Sequence, residues 1–203
     1  MSEARAYRGV ALADRVALRR EALIEAGLDC LYEDGLAALS VRAVCARSKL
    51  TARYFYESFS DLDALLGALV DACCVEVAEH ALAAIGVAGE TLPAKVRAAV
   101  GSAYAVLSHD PRKAAAFLLG SAAPEALQDR RDEWMTQYVQ LVLTNLPLPT
   151  AASLEAKRGA NAAALFVMGG TTEMLRAVLS GSLALSDEDV VERLTAMWLA
   201  VLG

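Results

Sequence analysis

Residues 40–59 read SVRAVCARSKLTARYFYESF, and the fold of the whole chain turns on them. Ser40 is a good N-cap, and the residues after it to Arg47 favour a short helix with Val41, Val44 and Cys45 turned inward. Ser48-Lys49-Leu50 breaks that helix. Thr51 stands where it can cap a second one, Ala52 to Glu57, with Leu50, Phe55 and Phe59 as the core beneath the turn. Four cations, Arg42, Arg47, Lys49 and Arg53, are set against one carboxylate, Glu57. Two short helices, a tight turn and a basic outer surface predict a helix-turn-helix, whose second helix can enter a DNA groove.

Upstream, Asp14 to Asp34 is predicted helical, with Leu23, Ile24, Leu28, Leu31 and Tyr32 on one apolar face. Gly35 suits the left-handed residue that closes a helix. Downstream, Ser60 is expected to cap a helix to about Ile85, with Asp63 completing a capping box. The break Gly86 to Leu92 then divides the chain. This predicts a head of residues 1–60, a connecting helix 61–86 and a second domain of residues 87–203. That domain is expected to hold helices over Ala94–Ser108, from Asp110-Pro111 to about Leu119, and from Pro124 to about Leu146. Two more run from Thr150 or Ser153 to about Leu179, and from Ser186 to Leu202. About nine helices without a strand pattern make the fold all-α.

Composition agrees. Hydrophobic residues make up 56% of the 203, and Ala supplies much of that share, which favours helix. The longest charge-free stretch, Gly159 to Thr172, is shorter than the ~20 residues that a membrane span needs. The first residues carry Glu3, Arg5 and Arg8 without an apolar core, so no signal peptide is expected and the predicted location is cytoplasmic. Cys30, Cys45, Cys73 and Cys74 fit no metal spacing and are expected as thiols. The net charge is −6, but unevenly spread: residues 1–60 hold nine Lys and Arg against eight Asp and Glu. A basic patch in an acidic chain is the footprint of a small nucleic-acid-binding head on an acidic body.

The chemistry of residues 40–59 fits that footprint. Arg53 has a fork able to bond both acceptors of a guanine, and Thr51 brings a hydroxyl to the helix start, where a phosphate can dock. Tyr54 and Tyr56 combine a phenol with flat apolar surface. From Ala22 to Leu66 the chain resembles the tetracycline-repressor (TetR) family of transcriptional regulators. The likeness is carried by Leu31-Tyr32-Glu33-Asp34-Gly35, Ser40-Val41-Arg42-Ala43-Val44-Cys45, Leu50-Thr51, Phe55-Tyr56-x-x-Phe59 and Asp63 to Leu65. The resemblance implies a homodimer with a DNA-binding head, and a helical body that binds a small molecule and dimerises through its last two helices. By position it implies base contacts from Arg42, Ala52, Arg53 and Glu57, and backbone or groove-wall contacts from Val41, Thr51, Tyr54 and Tyr56. Relatives usually carry His at Ser58 and Lys at Leu62, and often Gly at Lys49 and a small residue at Tyr54. Lys49 can replace some of the lost charge.

The body offers Tyr104, Leu107, Phe117, Leu118, Trp134, Met135, Tyr138, Phe166, Met168 and Met174 as residues that either line an apolar cavity or form a closed core. On the last two helices, Ala162, Leu165, Phe166, Gly169 and Thr172 are expected to face Val190, Leu194, Met197, Trp198 and Val201. Two such helices per subunit can close a four-helix interface. No metal-ligand set, phosphate loop, cofactor motif or nucleophile elbow is present in the sequence. The reading is a ligand-responsive regulator, a repressor that binds a palindromic DNA operator as a homodimer and is released by a small hydrophobic effector. An all-α enzyme, or an interaction protein that kept the fold without DNA binding, are the alternatives.

Overall fold

The computed structural model describes residues 3–122, 127–148 and 153–202. Among these residues the chain is all-α, and it packs as two units, residues 1–71 and 72–203. In the first unit, α1 (Glu3–Asp34) starts earlier than predicted, since Glu3 to Ala13 is mostly Ala, Arg, Leu and Glu, good helix formers that outweigh Gly9. A 3-10 turn (Leu36–Ala38) leads to α2 (Val41–Ser48) and α3 (Ala52–Ser58), and the unit takes in the start of α4 (Leu62–Val87).

Leu23, Leu28, Leu31, Val44, Phe55 and Phe59 form its buried centre, joined by Leu65 and Leu69 from α4. Gly27 lets α1 and α4 approach: a Cβ there would meet Leu69 at 3.0 Å and Leu65 at 3.5 Å. Tyr32, expected on the apolar face, is half exposed, at the edge of the buried stripe. Gly35 closes α1 at positive φ, but with φ 77° and ψ 168° it lies outside the left-handed helical region. Such a conformation is open essentially to glycine alone. The cap of α4 also differs from expectation. Asp61 accepts from the Ala64 N–H at 2.8 Å, while the Ser60 hydroxyl donates to Asp61 at 3.0 Å. A carboxylate carrying full charge at the helix dipole takes the position, and the two hydrogen bonds hold its pKa low.

The second unit contains the rest of α4, α5 (Leu92–His109), α6 (Pro111–Ala122), α7 (Gln128–Asn145), α8 (Leu154–Leu179) and α9 (Asp187–Leu202). Its helix starts are written in side-chain caps: Thr91 accepts from Ala94, Asp110 from Arg112, Ser153 from Ala156 and Ser186 from Asp189. The expected start at Pro124, and the choice of Thr150, lie outside the described residues. Helix α5 packs on α9 and α6, and α8 packs on α7, α6 and α9. Val96, Val100, Leu107, Val142, Leu175 and Leu194 are buried among them. Helix α8 is long and apolar enough by composition to cross a bilayer. Its Lys157, Arg158, Glu173 and Arg176 nevertheless leave only Gly159–Thr172 uncharged, about 21 Å of helix against a ~30 Å hydrocarbon core.

Candidate DNA-binding head and apolar cavity

The turn between α2 and α3 hangs on one carbonyl. The Cys45 oxygen receives the N–H of Lys49, the N–H of Leu50 at 3.1 Å and the hydroxyl of Ser48 at 3.3 Å. To turn the next N–H, that of Leu50, back onto it, Lys49 takes a left-handed conformation, φ 58° and ψ 28°, the one non-glycine residue at positive φ among the described residues. The frequent Gly of relatives at this position therefore has a backbone reason. Ser40 accepts from the Ala43 N–H at 3.2 Å, as expected. Thr51 holds the N-cap position of α3, but its hydroxyl makes no cap bond and faces solvent.

With Phe55 and Phe59 turned inward, α3 presents Ala52, Arg53, Tyr56 and Glu57 outward, and Arg42, Lys49 and Thr51 are exposed beside it. Val41 is half-buried. Tyr54, also half-buried, turns toward α1, where the Arg19 guanidinium lies 3.9 Å over its ring. Arg47 is not part of an open basic face. It pairs with Glu33 at 2.6 Å, with Asp34 at 3.7 Å and with Asp29 at 4.0 Å, clamping α2 to the end of α1. The guanidinium holds the Glu33 carboxyl below its ordinary pKa. Arg53 donates through Nε to Glu57 at 3.0 Å, and Glu57 also faces Arg19 at 3.9 Å. Arg19 is the residue that sequence reasoning missed: it lies in α1, far from the motif in the chain, and no local pattern marks it.

The second unit holds a partly open cavity of about 130 Å³. By that measure a single water needs only ~10–15 Å³, so a small organic molecule has room. Four of the ten body residues singled out, Leu107, Phe117, Tyr138 and Met168, are in its wall. The other six are not. Tyr104 points its hydroxyl to Asp187, 2.7 Å away, and Phe166 is 71% exposed. Trp134 packs on the Tyr138 ring with centroids 5.7 Å apart, and Leu118, Met135 and Met174 lie elsewhere on their helices. The rest of the wall includes residues not chosen as cavity lining: Cys73, Cys74, Val77, Ala78, Ala81, Leu82 and Ile85 of α4, Ala99 and Ala103 of α5, Thr171 of α8, and Thr172, which was expected to face α9. Trp198, expected to face α8, donates to Thr171 of that helix and also borders the cavity, and Val190 and Leu194 are buried.

Among the described residues no charged side chain lines the cavity, and its polar side chains are hydrogen-bonded. The Trp198 indole donates to Thr171 at 2.7 Å, Thr171 to the Val167 carbonyl at 2.7 Å, and Thr172 to the Met168 carbonyl at 3.0 Å. The Tyr138 hydroxyl donates to the Cys74 carbonyl at 2.9 Å, and burial raises its pKa. Burial likewise raises the Cys73 thiol, so it stays protonated. All four cysteines are free thiols. Such a wall can hold a neutral apolar guest; it has nothing to neutralise an ion.

Residues 23–69 match the family model described as bacterial regulatory proteins, tetR family. The head is a tetR-family domain. It contains every residue of the candidate DNA-binding set, Val41 to Glu57, and the family is one of transcriptional regulators rather than enzymes. Solved structures extend the likeness of fold beyond the tetR-family domain to the body. A transcriptional regulator from Pseudomonas aeruginosa PAO1 is 22% identical, with a TM-score of 0.68, over 91% of this chain and 89% of that one. The multidrug binding protein EbrR, complexed with imidazole, is 22% identical with a TM-score of 0.60, over 88% and 94%. A TetR family transcription regulator from Marinobacter aquaeolei VT8 is 18% identical with a TM-score of 0.63, over 93% and 98%. No curated protein matches in sequence.

Proposed function

We propose that the protein is a cytoplasmic transcriptional repressor that binds a palindromic operator as a homodimer and is released by a small, neutral, hydrophobic effector. The observation that carries the reading is the outward face of α3 within a tetR-family domain: Arg53, Tyr56 and Glu57 exposed beside Arg42, Lys49 and Thr51. Arg42 and Arg53 read bases, while Thr51, Tyr56 and Lys49 grip the backbone. Tyr54 acts from behind, through Arg19. The head comprises residues 1–60, joined by helix 61–86 to a ligand-binding and dimerising body of residues 87–203.

Dimerisation runs through α8 and α9. Leu165 and Phe166 on α8, and Met197 and Val201 on α9, are large apolar residues left exposed. Four such side chains on adjoining helices form a patch that a two-fold partner would bury. The effector occupies the apolar cavity, and the likeness of fold to EbrR, a multidrug binding protein, supports a small-molecule guest. One wall of the cavity is α4, the helix that starts in the head unit. A guest that favours a shifted α4 changes the separation of the two heads, which must match groove positions ~34–36 Å apart. It does so only by binding the released conformation better, with a hundredfold preference giving ~2.7 kcal/mol.

The test is a salt-dependent mobility shift with the DNA upstream of the protein's own gene. Specific binding that Arg53→Ala abolishes supports the reading. Absence of binding, or affinity unchanged in Arg53→Ala, refutes it and returns the fold to the interaction-protein alternative.

A further inference from the structure

The side chains around Arg53 form a chain. The Tyr54 ring carries the Arg19 guanidinium at 3.9 Å; Arg19 faces one oxygen of Glu57 at 3.9 Å; the other Glu57 oxygen accepts from Arg53 Nε at 3.0 Å. Arg53 lies beyond, 83% exposed, with no further partner among the described residues. A guanidinium can meet an acceptor pair side-on, through Nε and one Nη, or end-on, through both Nη groups. Glu57 takes Nε, so the side-on mode is closed and the end-on pair is the one presented outward. That pair matches guanine O6 and N7. The same carboxylate is a negative charge beside two arginines, on a face that must approach a polyanion.

We propose that Glu57 is a positioning residue that sets specificity: it holds Arg53 for end-on recognition of a guanine, and keeps Arg53 and Arg19 from settling on phosphates. The proposal rests on the DNA-binding reading of the head. Its mechanism is differential. The carboxylate weakens binding to every sequence by repulsion, and recovers affinity only where a guanine meets the aligned fork. Arg53 released from Glu57 would gain phosphate contacts, which carry no sequence information and add to the salt dependence.

The experiment uses the full-length protein and a duplex pool randomised over about 30 base pairs, a length that spans two half-sites one turn apart. The wild type selects a site from the pool, and each guanine in it is then replaced in turn. Wild type should prefer one guanine by about tenfold or more, the discrimination of a bidentate pair. Glu57→Gln keeps the size of an exposed side chain, so folding is not at stake. It should reduce that preference to about threefold or less, bind unselected duplex more tightly, and steepen the salt dependence on unselected duplex by about one counterion. In an Arg53→Ala background, Glu57→Gln should leave base preference unchanged. If Glu57→Gln retains the wild-type preference and salt slope, the proposal is overturned and the DNA-binding reading stands. If Glu57→Gln alters base preference even without Arg53, the carboxylate reads a base directly, which also overturns it. A wild-type pool that never enriches removes the DNA-binding reading and the proposal together.

Discussion

Replacing Lys49 by glycine should make the protein more stable, although it deletes a side chain. Lys49 sits at φ 58°, ψ 28°, where an L-residue is disfavoured by about 1–2 kcal/mol. Glycine removes that cost, but loosens the unfolded chain by about 0.5–1 kcal/mol. The bonds that define the turn are made by the backbone, from the N–H groups of residues 49 and 50 to the Cys45 carbonyl, and survive the change. The net gain is about 0.5–1 kcal/mol. With a urea slope of about 1–3 kcal/mol/M, the unfolding midpoint of the head should rise by a few tenths of a molar. Lys49→Ala is the control, because it removes the same charge while keeping a Cβ at positive φ. Circular dichroism through a urea titration should place K49G above both the wild type and K49A. A K49G midpoint at or below that of K49A would refute the argument from backbone strain. On DNA the two variants should behave alike, each losing about one counterion from the salt dependence.

Phe166→Glu puts a charge on a side chain that is 71% exposed in the single chain, so the proposed dimer should dissociate, while the stability of the fold changes by no more than about 0.5 kcal/mol. Light scattering that reports an unchanged dimer would exclude α8 from the interface. Tyr104 supplies a pH test: burial, then its bond to Asp187, push its phenol up to about 12. The folded value lies above the unfolded one of about 10, so its contribution is complete below pH 10 and is lost as the pH rises through 12. Phenolate absorbance of the folded protein should show an ionisation near 12 that Tyr104→Phe lacks, and all six tyrosines ionising near 10 would contradict it.

Much of the fold was legible because helix termini are local. Ser40, Asp110, Ser153 and Ser186 all act at the starts where a capping rule puts them, whereas Thr91, read as part of the break, caps α5, which begins two residues before its expected start. The misreading at Ser60 was of the same local kind, since Ser60 and Asp61 are both good caps and only the realised geometry chooses between them. The outward face of α3 was legible because Phe55 and Phe59, four apart, leave little choice about which side is buried. Arg47 was misjudged and Arg19 missed because their partners belong to other helices, and charge within a window cannot reveal a clamp across helices. The cavity was the least legible feature. A search for large apolar side chains finds the groups that fill space. Empty space lies instead where Ala78, Ala81, Ala99 and Ala103 fall short of one another.

A chamber walled by alanines has a particular evolutionary freedom. These alanines line vacant volume, so a longer side chain there has more room than in a close-packed interior. One methylene of misfit between guest and wall shifts preference by about 1–3 kcal/mol. Exchange of an alanine for valine or leucine therefore reshapes the cavity, one step at a time, while the tetR-family domain stays as it is. Under the proposed function, duplicated copies of such a gene could diverge in what they sense before they diverge in what they bind.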